Sequence, residues 1–247
     1  YFFFGAFGPA LGMEDTTTVR VIFLAVLTGL QALCNHLGIG LTAKLTDFSG
    51  YLIFATALAL TIVCLISAPS YEFARLWTFS NYSGEAGGSV WPQVSNGWIF
   101  MLGLLLPIYT ITGYDASAHT SEETRNAAMS VPRGMVMSVV WSLLFGWVML
   151  SAFVLMLPSM DEAAKQGWNV FFWAMNTQVN PLLKDALYVA IFISQVLCGL
   201  ATVTSVSRMI FAFSRDGGLP FSKALASVSP THRSPVAAIW TGATLAV

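Results

Sequence analysis

Leu104–Pro132 reads LLLPIYTITGYDASAHTSEETRNAAMSVP, and it sets Gly113 and Asp115 inside a run otherwise apolar enough to lie in lipid. Unwound backbone at that depth exposes amide and carbonyl groups that hydrocarbon cannot satisfy, so it persists only where protein buries it or a watery cavity reaches it. An acid there costs about 2.5 kcal/mol or more to desolvate and defaults to a functional role. The stretch therefore reads as a binding site. The plainer alternatives are a packing kink or a span that ends near Thr112.

The rest of the chain agrees with a lipid setting. Of 247 residues 56% are hydrophobic and 9% charged, with a mean hydropathy of +0.70, which excludes an ordinary soluble domain. The fold class expected is all-α and integral to the membrane, a multi-span helical bundle with a discontinuous helix at about 104–121. A net charge of −1 offers no basic patch, so no nucleic-acid partner is expected. Cys34, Cys64 and Cys198 lie in apolar segments without ligand spacing and read as packing residues; neither metal nor cofactor is expected.

Apolar runs predict one transmembrane domain over 1–247, with spans at roughly 1–13 (partial), 19–37, 45–66, 98–121 (broken), 135–157, 187–213 and 235–247 (partial). Both ends fall in apolar sequence, so a fragment of a longer chain is expected. Arg20 can snorkel at the entry of its span, and His36 at the exit reads as solvated rather than ligating. Ser67–Gly97 is a long loop whose Trp77, Trp91 and Trp98 suit the membrane interface. The aromatic segment Trp168–Pro181 is expected to lie along that interface. Alternating the crossings puts Lys44, Arg125, Arg133, Arg215, Lys223 and Arg233 on one side, opposite Arg20, Arg75, Lys165 and Lys184. By the positive-inside rule the first set is cytoplasmic.

If the broken helix stops at Thr110–Thr112 and restarts after Asp115, its outer half points carbonyls into the break and its inner half a positive N-terminus. Such a pair of fields suits an amine or a zwitterion, the carbonyls receiving ammonium and the amides carboxylate. Gly113 lets backbone turn and approach a ligand. Tyr114 walls or gates the pocket. Asp115 is expected to cap the inner half through its carboxylate, with proton carriage as a second role. Asp115, His119 and Glu122 share one helical face, where helix capping and surface ion pairing account for His119 and Glu122 more simply than a role in the site. The helix-packing account of the stripe Thr202 and Ser205 competes with a pocket-face role.

GYDASAHTSEETRNAAMSVPRG, then SRMIFAFSRDGGLPFSKAL and the restart SPVAAIW, resemble the amino acid-polyamine-organocation superfamily of permeases, in particular its amino acid/choline branch, which includes GABA permeases. The resemblance covers essentially the whole chain. It implies part of a fold of two five-helix inverted repeats, from the end of the third helix to the start of the ninth. It also implies that Thr110, Ile111, Thr112, Gly113, Tyr114 and Asp115 occupy the unwound centre of the sixth helix, where substrate backbone groups bind. Thr202 and Ser205 in the eighth helix would then approach the site, with His119 as a further pocket or coupling residue. The implied protein is a secondary transporter of the plasma membrane, not an enzyme, moving amino acids, GABA, choline or polyamines by alternating access with protons or sodium as coupling ion. The first helix, which supplies the other half of the family's site, is absent. The lysine that some relatives carry midway along the fifth helix has no counterpart near Ile53.

Two other classes compete. An intramembrane aspartyl protease would use Tyr114-Asp115 as half of a dyad, but its second acid is missing from Met135–Leu157, and Asp185 and Asp216 lie at helix ends. A channel would show flux that does not saturate.

Overall fold

The computed structural model describes residues 1–84, 92–121 and 124–247, with the backbone alone at residue 39. Among these residues every regular element is helical. In chain order they are α1 (Phe2–Leu11), α2 (Thr17–His36), α3 (Ile39–Ile66), α4 (Asn96–Gly103), α5 (Leu105–Thr110), α6 (Ala116–His119), α7 (Ala127–Met156), α8 (Met160–Lys165), α9 (Val170–Gln178), α10 (Pro181–Arg215), α11 (Ser222–Leu225) and α12 (Val236–Leu245). Four of them, α2, α3, α7 and α10, are long and apolar enough to cross a bilayer. Trp91, Glu122 and Glu123 lie outside the described residues.

Helix starts differ from the hydropathy pattern for local reasons. Thr16 caps α2, its Oγ1 accepting the Val19 amide at 3.4 Å. The helix α3 opens at Ile39, so Lys44 and Asp47 lie within it rather than at its entry. In α10, Pro181 takes the first helical position and Asn180 Oδ1 accepts the Leu182 amide at 3.0 Å, six residues ahead of the expected Leu187. Its 35 residues reach about 52 Å, more than a hydrocarbon layer of about 30 Å requires. The helix α7 likewise starts upstream of Met135 and carries Pro132 near its beginning.

The chain divides into two compact units. The first comprises Tyr1–Phe54, Asp115–Pro132 and Ala190–Val247; the second comprises Ala55–Tyr114 and Arg133–Val189.

In the first unit α2 is built inside out. Val21, Ile22, Leu24, Val26, Leu30 and Leu33 are exposed, whereas Thr28, Gln31, Ala32 and Asn35, one stripe at helical spacing, are buried. The buried amides reach α10: Gln31 Nε2 donates to the Val196 carbonyl at 2.9 Å, and Asn35 Nδ2 to that of Leu200 at 3.3 Å. Thr204 Oγ1 returns a bond to Asn35 Oδ1 at 2.7 Å. Gly199 makes room for this seam, since a Cβ there would stand 2.5 Å from Gln31 Nε2. On its other side α2 packs Ala32 against Ile239 and Ala243 of α12, with Val203 alongside. Trp240 Nε1 donates to His36 Nδ1 at 3.1 Å, so His36 is engaged rather than simply solvated. Phe3 of α1 stacks on Phe23 at 4.4 Å and meets Phe192 at 5.2 Å.

The second unit has its core where the end of α7 meets α8, α9 and the first turns of α10. Leu155, Met156, Leu157, Phe172, Met175 and Tyr188 are buried there. The segment expected along the interface splits into a 3-10 turn at Gly167–Asn169 and α9. Its Phe172 packs edge-on to Tyr188 at 5.9 Å, so that ring is covered by protein, while Trp168 stays exposed.

Candidate functional site

The apolar segment Asn96–Thr110 is capped by Ser95, whose Oγ accepts the Trp98 amide at 3.4 Å. Pro107 has no N–H to return to the Gly103 carbonyl and its ring crowds that turn, which separates α4 from α5 at Leu104. Beyond Thr110 the ladder tightens and then lapses. Ile111 still donates to Pro107 at 3.3 Å, Thr112 donates three residues back to Tyr109 at 3.1 Å, and Tyr114 three back to Ile111 at 3.3 Å. Among the described residues the carbonyls of Thr110, Thr112 and Gly113 accept no backbone N–H. Gly113 sits at φ +90°, with no atom within 4 Å of where a Cβ would be; its backbone angle, not crowding, demands glycine. The Thr110 and Thr112 hydroxyls donate back to Leu106 and Ile108 carbonyls at 2.9 and 3.2 Å, leaving only lone pairs to offer.

The inner half departs from the dipole expectation. α6 is a single four-residue turn, too short to present a positive end of any strength. Asp115 stands at its N-cap position, but with φ −83° and ψ −3° rather than the extended backbone a capping side chain needs, and its carboxylate caps no amide. The carboxylate instead meets His119 Nε2 at 3.3 Å, one turn on. The expected capping role of Asp115 is thus replaced by a pair with His119. Glu122, the third member of that face, lies outside the described residues.

Of the residues singled out from sequence, Asp115 and His119 are brought together. Thr202 and Ser205 belong to the same unit, and Thr110, Ile111, Thr112, Gly113 and Tyr114 to the other. The Thr202 side chain is exposed and donates to the Cys198 carbonyl at 3.1 Å, while Ser205 is half-buried. Thr204, between them, is the one held by α2.

Each unit has a sizeable cavity. In the second, a space of about 530 Å³ is lined mostly by apolar side chains, among them Leu106, Pro107, Trp147 and Phe153, and also by Thr110. In the first, about 330 Å³ lies between α6 with Ser121 and the last turns of α10, lined by His119, Arg208, Met209, Phe211, Phe213 and Asp216 among others. Arg208 was missed from sequence, although a cation within the apolar run 187–213 is itself a signal. Among the described residues no three His, Cys, Asp or Glu side chains are gathered as for a metal ion.

Backbone opened beside a glycine at positive φ, inside apolar helices, leaves carbonyl oxygens without backbone donors. The amino-acid permease BAT1 of Arabidopsis thaliana is 34% identical over 230 residues, 87% of this chain and 42% of the relative. Its homolog in Oryza sativa subsp. japonica is 32% identical over 197 residues, 75% of this chain and 37% of the relative. The GABA-specific permease of Saccharomyces cerevisiae is 29% identical over 218 residues, 85% and 37%. The chain thus spans about two fifths of the length of these curated relatives. They are named as permeases, not proteases, and the aspartyl-dyad reading falls with them. With the amino acid permease family matching residues 1–247, the chain belongs to that family and is part of a multi-pass membrane protein.

Proposed function

We propose that the full-length protein is a secondary active transporter of the plasma membrane that carries amino acids or related amines such as GABA, choline or a polyamine by alternating access. The solute's polar groups are held by the unwound backbone at Thr110, Ile111, Thr112, Gly113, Tyr114 and Asp115. The observation that carries this reading is the positive φ of Gly113 with three neighbouring carbonyls released from the helical ladder. Carbonyls receive an ammonium group without burying a full protein charge alone, which an apolar helix can tolerate. Because α6 is one turn, the carboxylate of a zwitterion is received elsewhere, from side chains or from the part of the protein outside this chain. The Asp115–His119 pair is the proton-handling element.

The test is uptake by the full-length protein in cells or proteoliposomes. Radiolabelled alanine, GABA and choline are compared under an imposed proton or sodium gradient. A carrier gives saturable flux for at least one solute and accumulation driven by one gradient. Gly113→Val abolishes that flux at an unchanged membrane level. Linear, non-saturating flux would instead mark a channel, and wild-type kinetics in Gly113→Val would remove this site.

A further inference from the structure

We propose that Gly146 of α7 is a positioning residue for the unwound backbone: it seats Thr110, the last residue of α5, and so sets where the carbonyls released from there on stand. The role rests on the transporter reading of that backbone; the contact does not. Both residues belong to the second unit.

Gly146 lies well inside α7, where glycine is less favourable than alanine by about 0.5–1 kcal/mol. A close approach accounts for it. A Cβ at Gly146 would stand 2.9 Å from Thr110 Cγ2, short of the roughly 3.5–4.0 Å at which carbon atoms rest against each other. Gly29, Gly50, Gly97 and Gly103, also within helices, have nothing within 4 Å of that position. Leaving out the Cβ lets a neighbouring helix come near.

The Thr110 methyl has no easy retreat. Its β-branched side chain is stiff about Cα–Cβ, and its hydroxyl donates to the Leu106 carbonyl at 2.9 Å. Turning the methyl away from α7 takes Oγ1 off that carbonyl. The alternative is that α5 itself moves. It is six residues long, parted from α4 at Leu104, and it borders the cavity of about 530 Å³ that Gly146 also lines. A push on Thr110 is therefore passed to the backbone at Thr110, Thr112 and Gly113, whose carbonyls accept no backbone N–H among the described residues.

The experiment measures uptake of radiolabelled alanine, GABA and choline by the full-length protein, with the membrane level read by immunoblot. Gly146→Ala should raise KM about tenfold and leave Vmax within about twofold, since the binding groups are displaced by less than about 1 Å and the rest of the cycle is untouched. Thr110→Ser keeps the hydroxyl and lacks the methyl. Adding Gly146→Ala to it should leave KM within about twofold of Thr110→Ser alone, because the clashing pair is gone. Gly103→Ala, whose methyl meets nothing, should leave KM as in wild type. Amide exchange over Thr110–Asp115, which needs no transported solute, should change in Gly146→Ala and match Thr110→Ser in the double variant. Unchanged KM or unchanged exchange in Gly146→Ala, an equal rise of KM in Gly103→Ala, or a rise that Thr110→Ser does not cancel would overturn the proposal. If Gly146→Ala alone fails to reach the membrane, recovery of its level by Thr110→Ser supports the contact, and no recovery overturns it. Gly113→Val keeps the two readings apart: flux retained there removes the solute site, whereas flux lost there beside a normal Gly146→Ala removes only the role of Gly146.

Discussion

The seam between α2 and α10 and the break between α5 and α6 face the same difficulty, polar groups within apolar helices, and resolve it in opposite ways. Along the seam Gln31, Asn35 and Thr204 each have a partner across the helices. Gln31 serves Val196, Asn35 serves Leu200, and Thr204 serves Asn35. Such bonds contribute about 0.6 kcal/mol each on average, to a maximum of about 1.7, and they fix the rotation of α10. At the break, backbone carbonyls are left without internal donors and the angle of Gly113 keeps them so. Groups that are satisfied internally hold a structure together; groups left open can be used by a visitor.

The largest expected effect lies at Gly113. Valine cannot adopt φ +90° without strain of about 1–3 kcal/mol, so it pulls the segment toward helix and removes uptake. Asparagine tolerates positive φ better than any β-branched residue and should keep more of the flux than valine does. Equal loss in both variants would mean that side-chain bulk, not backbone angle, is what the site rejects.

At the seam the effect should appear in stability. Gly199→Ala places a Cβ against Gln31 Nε2 and drives it off the Val196 carbonyl, costing about 1 kcal/mol. Gln31→Ala should cost a similar amount, and the double variant no more than either alone, because both act on one bond. Thermal unfolding of the full-length protein reads all three. Additive losses would show that Gly199 and Gln31 act independently and would break the contrast drawn above.

Asp115 separates the two regions more finely. Its carboxylate caps no amide and shares a half-exposed pair with His119, so Asp115→Asn should shift stability by no more than about 0.5 kcal/mol. A larger loss would restore the capping role.

The smallest effect is in the loop at Glu72, whose carboxyl is held below its usual range first by the Arg75 guanidinium and then by the Ser70 hydroxyl. A carboxyl depressed in the folded state stabilises above its unfolded pKa of about 4.3 and ceases to as pH falls through the folded value. Wild type should therefore lose slightly more thermal stability than Glu72→Gln between about pH 6 and pH 3.5. Equal losses would mean that the Glu72–Arg75 pair does not anchor this loop.

The break was legible because Gly113 and Asp115 are conspicuous in an apolar run, and the four crossing helices because hydropathy measures what lipid selects. Helix starts were less legible. Hydrogen bonding carries α10 past Lys184 and Asp185 to Pro181, where hydropathy has already fallen. The one-turn length of α6 was hidden as well: Thr120 and Thr124 are tied back to neighbouring carbonyls, and Asn126 turns the chain at φ 54° before α7. The seam could not be read at all, since Gln31 and Val196 stand 165 positions apart and only the fold pairs them. Asp115 looked like a cap because its position suggests one, while His119, one turn on along the same face, competes for its carboxylate.

The central claim is that a solute takes up hydrogen bonds that the chain has released around Gly113. Amide hydrogen exchange of the full-length protein in nanodiscs, read on the peptide spanning Thr110–Asp115, tests it directly. Exchange there should be fast without solute and slow clearly at saturating alanine or GABA, while the peptide holding Gln31 and Asn35 stays slow in both states. Exchange at Thr110–Asp115 that is already as slow as in α2, or that no transported solute changes, would contradict it.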